Sequence, residues 1–153
     1  MSLEISTAGI FVKYAAEATA GVKPTTGYTV LPNIKSTPDI NQDPNMLDCT
    51  DLSVTDYKRY IPGLRDIGSA FPFGANLTPA FQTAWEALVS DYETAKAAGK
   101  EVWFEISVPT NGSFYFTGAP VPLGVNSFEV DQVAEVTAYV VPNTVRGWDD
   151  SST

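Results

Sequence analysis

The clearest pattern along the chain is a single amphipathic helix among short alternating segments. Between residues 78 and 99 the large apolar positions recur at the spacing of one helical face. Thr78 is a favourable N-cap, Pro79 suits the first helical position, and Gly99 suits the left-handed conformation after the last turn. We predict a helix over about residues 79–98 that docks on a sheet through this face. The docking residues are Phe81, Trp85, Leu88, Val89 and Tyr92, and the polar face carries Gln82, Glu86, Glu93 and Lys96.

Alternation with period two predicts strands on both sides of this helix. Before the helix, the candidate strands are 9–15, 28–34 with an interruption at Pro32, and 66–77, where Ile67, Phe71, Phe73 and Leu77 share one face. After it, a strand at 102–108 turns at Asn111-Gly112 into a second at 113–118, and a third covers 134–141. We expect a polar tail beyond this strand, with Trp148 exposed unless a partner covers it.

Residues 36–63 predict a long loop, with at most one strand near 46–54. Loops of this length in a compact domain are usually functional or disordered. The aromatic and aliphatic side chains of Tyr57, Tyr60, Ile61 and Leu64 argue against disorder. We therefore interpret the loop as an arm that packs against another surface.

Composition narrows the possible chemistry. The chain has 153 residues, a net charge of −9, no histidine and one cysteine, so it has neither an intramolecular disulfide nor an imidazole base, and we expect no metal or cofactor. No run approaches a membrane span, and no signal peptide is evident, which favours synthesis in the cytoplasm. We predict one domain, 1–153, of the mainly β class: an antiparallel sandwich or barrel flanked by one helix.

Three groups of residues could have a chemical role: an aspartate cluster, the single cysteine and a set of later carboxylates. Asp39, Asp43, Asp48 and Asp51 could form a calcium loop, but they lack the EF-hand spacing, so solvated loop charge is favoured. Cys49 is expected to be a buried or half-buried apolar residue. A glycosidase pair is conceivable among the later carboxylates, although ordinary outward-facing strand residues are the favoured interpretation. Those carboxylates are Glu101, Glu105, Glu129, Asp131 and Glu135.

The basic group Lys58, Arg59 and Arg65 lies beside Tyr57 and Tyr60. Such a mixture can stack on single-stranded nucleic acid. However, Asp56 and Asp66 reduce its positive field, and the acidic chain disfavours phosphate binding. We favour a patch that pairs with acidic residues of another subunit. The subunit-interface candidates are Tyr57, Lys58, Arg59, Tyr60, Ile61, Leu64, Arg65 and Trp148.

In order and spacing, the segments IPGLRDIG, TPAFQTAWEALVSDYETA and EVWFEISVPTNGSFYFTG resemble the major tail tube protein of long-tailed (siphovirus-type) bacteriophages. The resemblance covers essentially the whole chain. It implies a β-sandwich or barrel with one helix, six copies of which close into a ring. The rings would stack into a tube through which DNA passes without specific binding.

The resemblance also implies partners and a location. The loop at 36–63 would contact neighbouring subunits or the next ring, and residues 1–7 and 146–153 would be terminal arms that order on assembly. The partners would be further copies, the tape measure, the tail terminator and the tail tip, in a virion tail or a prophage-encoded particle made in the host cytoplasm. The acidic excess, 18 residues against 9, suits a lumen along which DNA slides.

Three other functions remain open from the residues alone. One is a monomeric β-sandwich that binds carbohydrate or a protein partner through Trp103, Tyr115 and Trp148. The second is another component of a virion or secretion tube. The third is an acid hydrolase with paired carboxylates, which has no sequence motif in its favour. We therefore expect a structural protein and not an enzyme.

Overall fold

A computed structural model describes residues 4–41, 44–65 and 68–153. The chain forms two compact units, one from Met1–Pro38 with Ala70–Thr153 and one from Asp39–Ser69. The strands of the larger unit are β1 (Phe11–Ala16), β2 (Thr29–Val30), β3 (Ile34–Ser36), β6 (Phe71–Asn76), β7 (Val102–Val108), β8 (Gly112–Pro120) and β9 (Glu135–Asp149), and its helix is α1 (Pro79–Ala97). The smaller unit contains β4 (Met46–Asp48) and β5 (Tyr60–Pro62).

The larger unit is built on one curled, seven-stranded antiparallel sheet with the order β2-β1-β7-β8-β9-β6-β3. Its longest strand, β9, pairs with β6 through residues 135–140 and with β8 through residues 140–149. Helix α1 packs on β1, β7 and β8 and is the one α-helix in the described part of the chain. The mainly β fold with a single flanking helix, predicted from the sequence, is confirmed.

Aromatic side chains fill the core between the helix and the sheet. Phe116 is central: it stacks on Phe104 with ring centroids 5.2 Å apart and meets Phe71 edge to face at the same distance. From the helix, Phe81, Trp85 and Leu88 are fully buried. Aromatic pairs in these geometries contribute beyond their burial alone, so this cluster ties the middle strands together.

The helix begins and ends where the local sequence signals predict. The Thr78 hydroxyl accepts a hydrogen bond from the backbone N–H of Phe81 at 3.1 Å, Pro79 occupies the first position, and Gly99 has φ +72°. Three residues of the predicted docking face are buried, whereas Val89 and Tyr92 are half-buried. The predicted polar face is exposed throughout.

Several predicted strand limits were wrong. The strand expected to end near Val141 continues to Asp149, because residues 113–120 of β8 pair with β9 along residues 140–149. The segment 28–34 divides into β2 and the start of β3, and the long loop holds two short strands instead of one. The predicted β7–β8 hairpin is present, and because Val108 pairs with Gly112 its turn consists of the three residues 109–111. The backbone is left-handed at Thr110 within the turn and at Gly112, the first residue of β8. Of the strand predicted at 66–77, Ile67 lies outside the described residues.

Candidate functional site

The smaller unit is a short hairpin whose strands are held by backbone pairing. Leu47 pairs with Ile61, and the N–H of Cys49 donates to the carbonyl of Arg59 at 2.9 Å. The Thr50 hydroxyl also accepts from the Arg59 N–H at 2.8 Å. These bonds fix the hairpin backbone, while its two strands carry three residues each.

Every described interface candidate in this unit is exposed. Tyr57 and Leu64 are 87% and 90% exposed, and Tyr60 and Ile61 are each exposed over about half of their surface (49% and 50%). Lys58, Arg59 and Arg65 are also exposed. We call this set, together with Met46 and Leu47, the hairpin surface. In the strand register, Leu47 and Ile61 share one face of the hairpin, and Met46 and Tyr60 share the other. Exposed apolar side chains bordered by charge are typical of interaction sites.

Trp148, the remaining candidate, belongs to the larger unit. Its ring meets Phe114 edge to face at 5.7 Å, and 59% of the residue is exposed. The two residues are cross-strand partners on β9 and β8. Trp148 therefore lies on a regular strand and not in a polar tail, which corrects the sequence expectation for this residue.

The structure contradicts the prediction that Glu105 faces solvent. Glu105 is fully buried and lies between Lys13 and Tyr115 in the sheet register. Its carboxylate accepts hydrogen bonds from the Tyr115 hydroxyl at 2.6 Å and from the N–H and hydroxyl of Ser152 at 2.9 and 2.7 Å, and the Lys13 ammonium is 3.7 Å away. The side of the sheet on which Glu105 lies was predicted to face solvent, but Ser152, which is distant in sequence, covers the Glu105 carboxylate. Alternation along a single strand cannot reveal such a contact.

The environment of Glu105 holds it ionised. Burial raises the pKa of this carboxyl, but the hydrogen bonds from Tyr115 and Ser152 outweigh burial and bring the pKa below its ordinary value. Burial and the Glu105 carboxylate raise the pKa of Tyr115, which remains a donor. A glycosidase acid needs a raised pKa and access to substrate, so Glu105 serves as a structural anion.

A second buried carboxylate, Glu17, was not singled out from the sequence. It accepts hydrogen bonds from the Trp103 indole at 2.8 Å and from the backbone N–H groups of Glu101 and Gly21 at 3.0 and 3.1 Å. Burial raises the pKa of the Glu17 carboxyl, but these hydrogen bonds outweigh burial and bring the pKa below its ordinary value. This anion fixes the loop after β1 to the start of β7.

Two other sequence interpretations change. Trp103 and Tyr115 are buried, so of the three proposed stacking groups of a binding module only Trp148 is available. Cys49 is exposed, contrary to the expected burial, because it directly follows β4 in a two-stranded hairpin, and the described residues of this unit form no second layer over it.

The acidic loop residues form local turns. The carboxylates of Asp39, Asp48 and Asp51 accept hydrogen bonds from the backbone N–H two residues ahead. Asp43 lies outside the described residues. Within residues 4–41, 44–65 and 68–153, no three acidic or cysteine side chains gather closely enough to hold a metal ion. In the same ranges, no helix combines the length and apolar character needed to cross a membrane.

Another exposed apolar surface, not predicted from the sequence, lies on the connection from β8 to β9. Val125, Phe128, Val130 and Val133 are between 56% and 87% exposed. Phe128 and Val130 alternate with Glu129 and Asp131, which is the pattern of a half-buried strand. In the structure the segment forms no strand, and both sets of side chains are exposed.

The larger unit is thus a curled antiparallel sheet flanked by one helix. No known family model matches the chain, and no curated protein does. A chain of the anti-feeding prophage baseplate, solved with 6-fold symmetry, matches it with a TM-score of 0.55 over 96% of this chain and 97% of that chain, at 10% identity. A chain from the tail of an empty GTA particle with C6 symmetry matches with a TM-score of 0.58 over 95% of this chain and 100% of that chain, also at 10% identity.

A chain of the anti-feeding prophage cap, which terminates that tube, gives a TM-score of 0.57 over 95% of this chain and 91% of that chain, at 12% identity. At these identities the likeness concerns the fold, and all three structures are parts of tail-like particles. The resemblance to a phage tail protein inferred from the sequence is thus confirmed in the fold.

Proposed function

We propose that the chain is a structural subunit of a phage-type tail tube, and that copies of it assemble into stacked hexameric rings forming a conduit for DNA. The observation that carries this proposal is the exposed hairpin surface, present in a chain whose fold recurs in tail particles. In this role the protein is not an enzyme, and it resides in the tail of a virion or of a prophage-encoded particle.

The β4–β5 hairpin favours association through its own limited stability. A two-stranded hairpin is at best marginally stable in water. Here the paired strands expose Met46, Leu47, Tyr60 and Ile61, all between 48% and 63%. Contact with a second copy would bury the side chains on the contacted face, Leu47 with Ile61 or Met46 with Tyr60, and each square ångström of apolar area removed from water contributes roughly 25 cal/mol. The hairpin surface is therefore suited to become ordered against a neighbour.

The six-fold symmetry of the related structures supports the proposed ring size. Subunits joined head to tail through two different surfaces close into a ring when the rotation between them permits. The net charge of −9 per chain would make a lumen repel the DNA backbone and so reduce sticking. The tape measure, tail terminator and tail tip are the proposed heterologous partners, and 1–153 would act as one tail-tube domain with an arm at 1–7. Residues 146–149, the start of the second predicted arm, belong instead to β9.

A pair of matched substitutions tests the proposal. Ile61→Asp places a charge on the hairpin surface, and Val22→Asp places the same charge on an exposed valine elsewhere. We expect Ile61→Asp to prevent assembly while the circular dichroism of the monomer is unchanged, and Val22→Asp to assemble like the wild type. Equal assembly of both variants and the wild type would contradict a role for the hairpin.

A binding module remains the second candidate only because of Trp148, whose exposed ring could stack on a ligand. Saturable binding of a sugar or peptide by a stable monomer, lost in Trp148→Ala, would favour this function. The tube subunit is preferred because the other two proposed stacking residues are buried.

A further inference from the structure

The connection between β8 and β9, residues 121–134, presents a surface opposite in charge to the hairpin surface. It exposes five large apolar side chains together with Glu129 and Asp131. No lysine or arginine occurs between residues 121 and 134. We call these residues the acceptor segment.

The acceptor segment is held in place at several points. The backbone of Val121 donates to the Tyr139 carbonyl at 3.0 Å and accepts from the Trp85 indole at 2.8 Å. Farther along, the Asn126 amide contacts Thr137 through two hydrogen bonds of 3.3 Å. These contacts fix the segment to α1 and β9, so its exposed apolar side chains project from an anchored backbone.

A surface hollow of about 240 Å³ lies within the acceptor segment and the start of β9. Phe128 and Val133 contribute its apolar lining and Glu129 its acidic lining, whereas the Glu135 carboxylate is paired with Lys35. For comparison, a cavity of about 150 Å³ accepts a benzene ring. The hollow is therefore large enough for one aromatic side chain that has a cation next to it.

The hairpin surface carries such a group. Tyr57 is 87% exposed and is followed directly by Lys58 and Arg59, which are also exposed. We propose that the acceptor segment binds the hairpin surface of a second copy, with Tyr57 in the hollow and Lys58 and Arg59 opposite Glu129 and Asp131. This inference rests on the proposed function and specifies which two surfaces meet.

Charge and apolar exposure together select this partner surface. The outer face of α1 is also acidic, through Glu86, Asp91 and Glu93, but no large apolar side chain on the helix is exposed. Interfaces combine a buried apolar centre with a charged rim, which the acceptor segment provides and the helix does not. Because the two surfaces are different, the contact is head to tail and leads to rings or filaments instead of closed two-fold dimers.

Charge reversal tests the pairing. We expect Lys58→Glu with Arg59→Glu, and separately Glu129→Lys with Asp131→Lys, to raise the concentration for half-assembly at least tenfold in light scattering. Each variant alone then has two surfaces of like charge. When the two variants are mixed, each hairpin again meets an acceptor of opposite charge, so assembly should recover. Glu86→Lys with Glu93→Lys is the matched control and should assemble like the wild type.

The outcomes separate the two levels of the proposal. If the wild type assembles and both reversed variants assemble equally well, or if mixing restores nothing, the pairing is wrong although the tube function stands. If the wild type does not assemble at all, the proposed function itself fails.

A cross-link provides a test that does not depend on charge. In a Cys49→Ser background, cysteines introduced by Tyr57→Cys and Val133→Cys on separate copies should form an intermolecular disulfide during assembly. The control pair, Tyr57→Cys with Ser90→Cys on the outer face of α1, should not. Linking of the control pair alone would overturn the proposal.

Discussion

Replacing Glu105 by glutamine is predicted to destabilise the larger unit in a pH-dependent manner. The carboxylate accepts three hydrogen bonds, two from Ser152 and one from Tyr115, and lies near Lys13. A hydrogen bond to a charged group contributes about 1 kcal/mol more than a neutral one. Removing the charge at constant shape should therefore cost roughly 2–4 kcal/mol, equivalent to a decrease in Tm on the order of 5–15 °C for a chain of this size.

The pH dependence follows from the lowered pKa of Glu105. A carboxyl whose folded pKa lies below its unfolded value, 4.5, contributes its full stabilisation above that value. The contribution is lost as the pH falls through the folded pKa, because the protonated group no longer carries the charge. The difference between wild type and Glu105→Gln should thus be largest near neutral pH and should shrink in strong acid.

Urea denaturation of both proteins near pH 7 and near pH 3 measures this difference. The Ile61→Asp background removes the proposed assembly from the equilibrium, and Glu93→Gln on the exposed helix face is the matched control. A cost below about 0.5 kcal/mol at neutral pH, or an equal cost at both pH values, would refute the assignment of Glu105 as a buried structural anion.

Three further changes test individual elements by urea denaturation in the same background. Thr78→Ala removes the N-cap acceptor of α1 and should cost about 1 kcal/mol, with Ser90→Ala on the outer face as the neutral control; no loss would contradict the cap. Leu88→Ala leaves a cavity under α1 and should cost about 2–5 kcal/mol, and a smaller value would mean that the helix is loosely docked. Gly112→Ala places a Cβ 2.7 Å from the Asp149 carbonyl oxygen at a residue with φ +83°, and it should lower the free energy of unfolding by more than about 1 kcal/mol. The control Gly124→Ala, whose Cβ would meet nothing within 4 Å, should not have this cost. Equal effects of the two substitutions would contradict the turn geometry.

The helix was predictable because its signals are local. Thr78, Pro79 and Gly99 mark its ends, and the apolar face recurs every three or four residues, so no knowledge of the sheet was needed. The β7–β8 hairpin was predictable for the same reason, although the position of its turn within 109–112 depended on the pairing register.

The features that sequence analysis missed depend on contacts between distant residues. The alternating pattern predicted that Glu105 points to the other face of the strand from Phe104. It could not show that Ser152 covers the Glu105 carboxylate. The extent of β9 depends on its pairing with β8, not on its own composition. At the candidate site, residue types alone indicated the hairpin surface, because tyrosines and basic residues in a long loop are distinctive. The acceptor segment was missed because Phe128 and Val130 alternate with acidic residues as they would in an ordinary strand.

The central claim is that this chain assembles with itself through the hairpin surface. Light scattering over a concentration series, with negative-stain imaging of the same samples, tests this claim most directly. We expect a mass that rises with concentration, and rings or tubes with a central hole in the images. A monomer at every concentration, with no rings in any image, would contradict it.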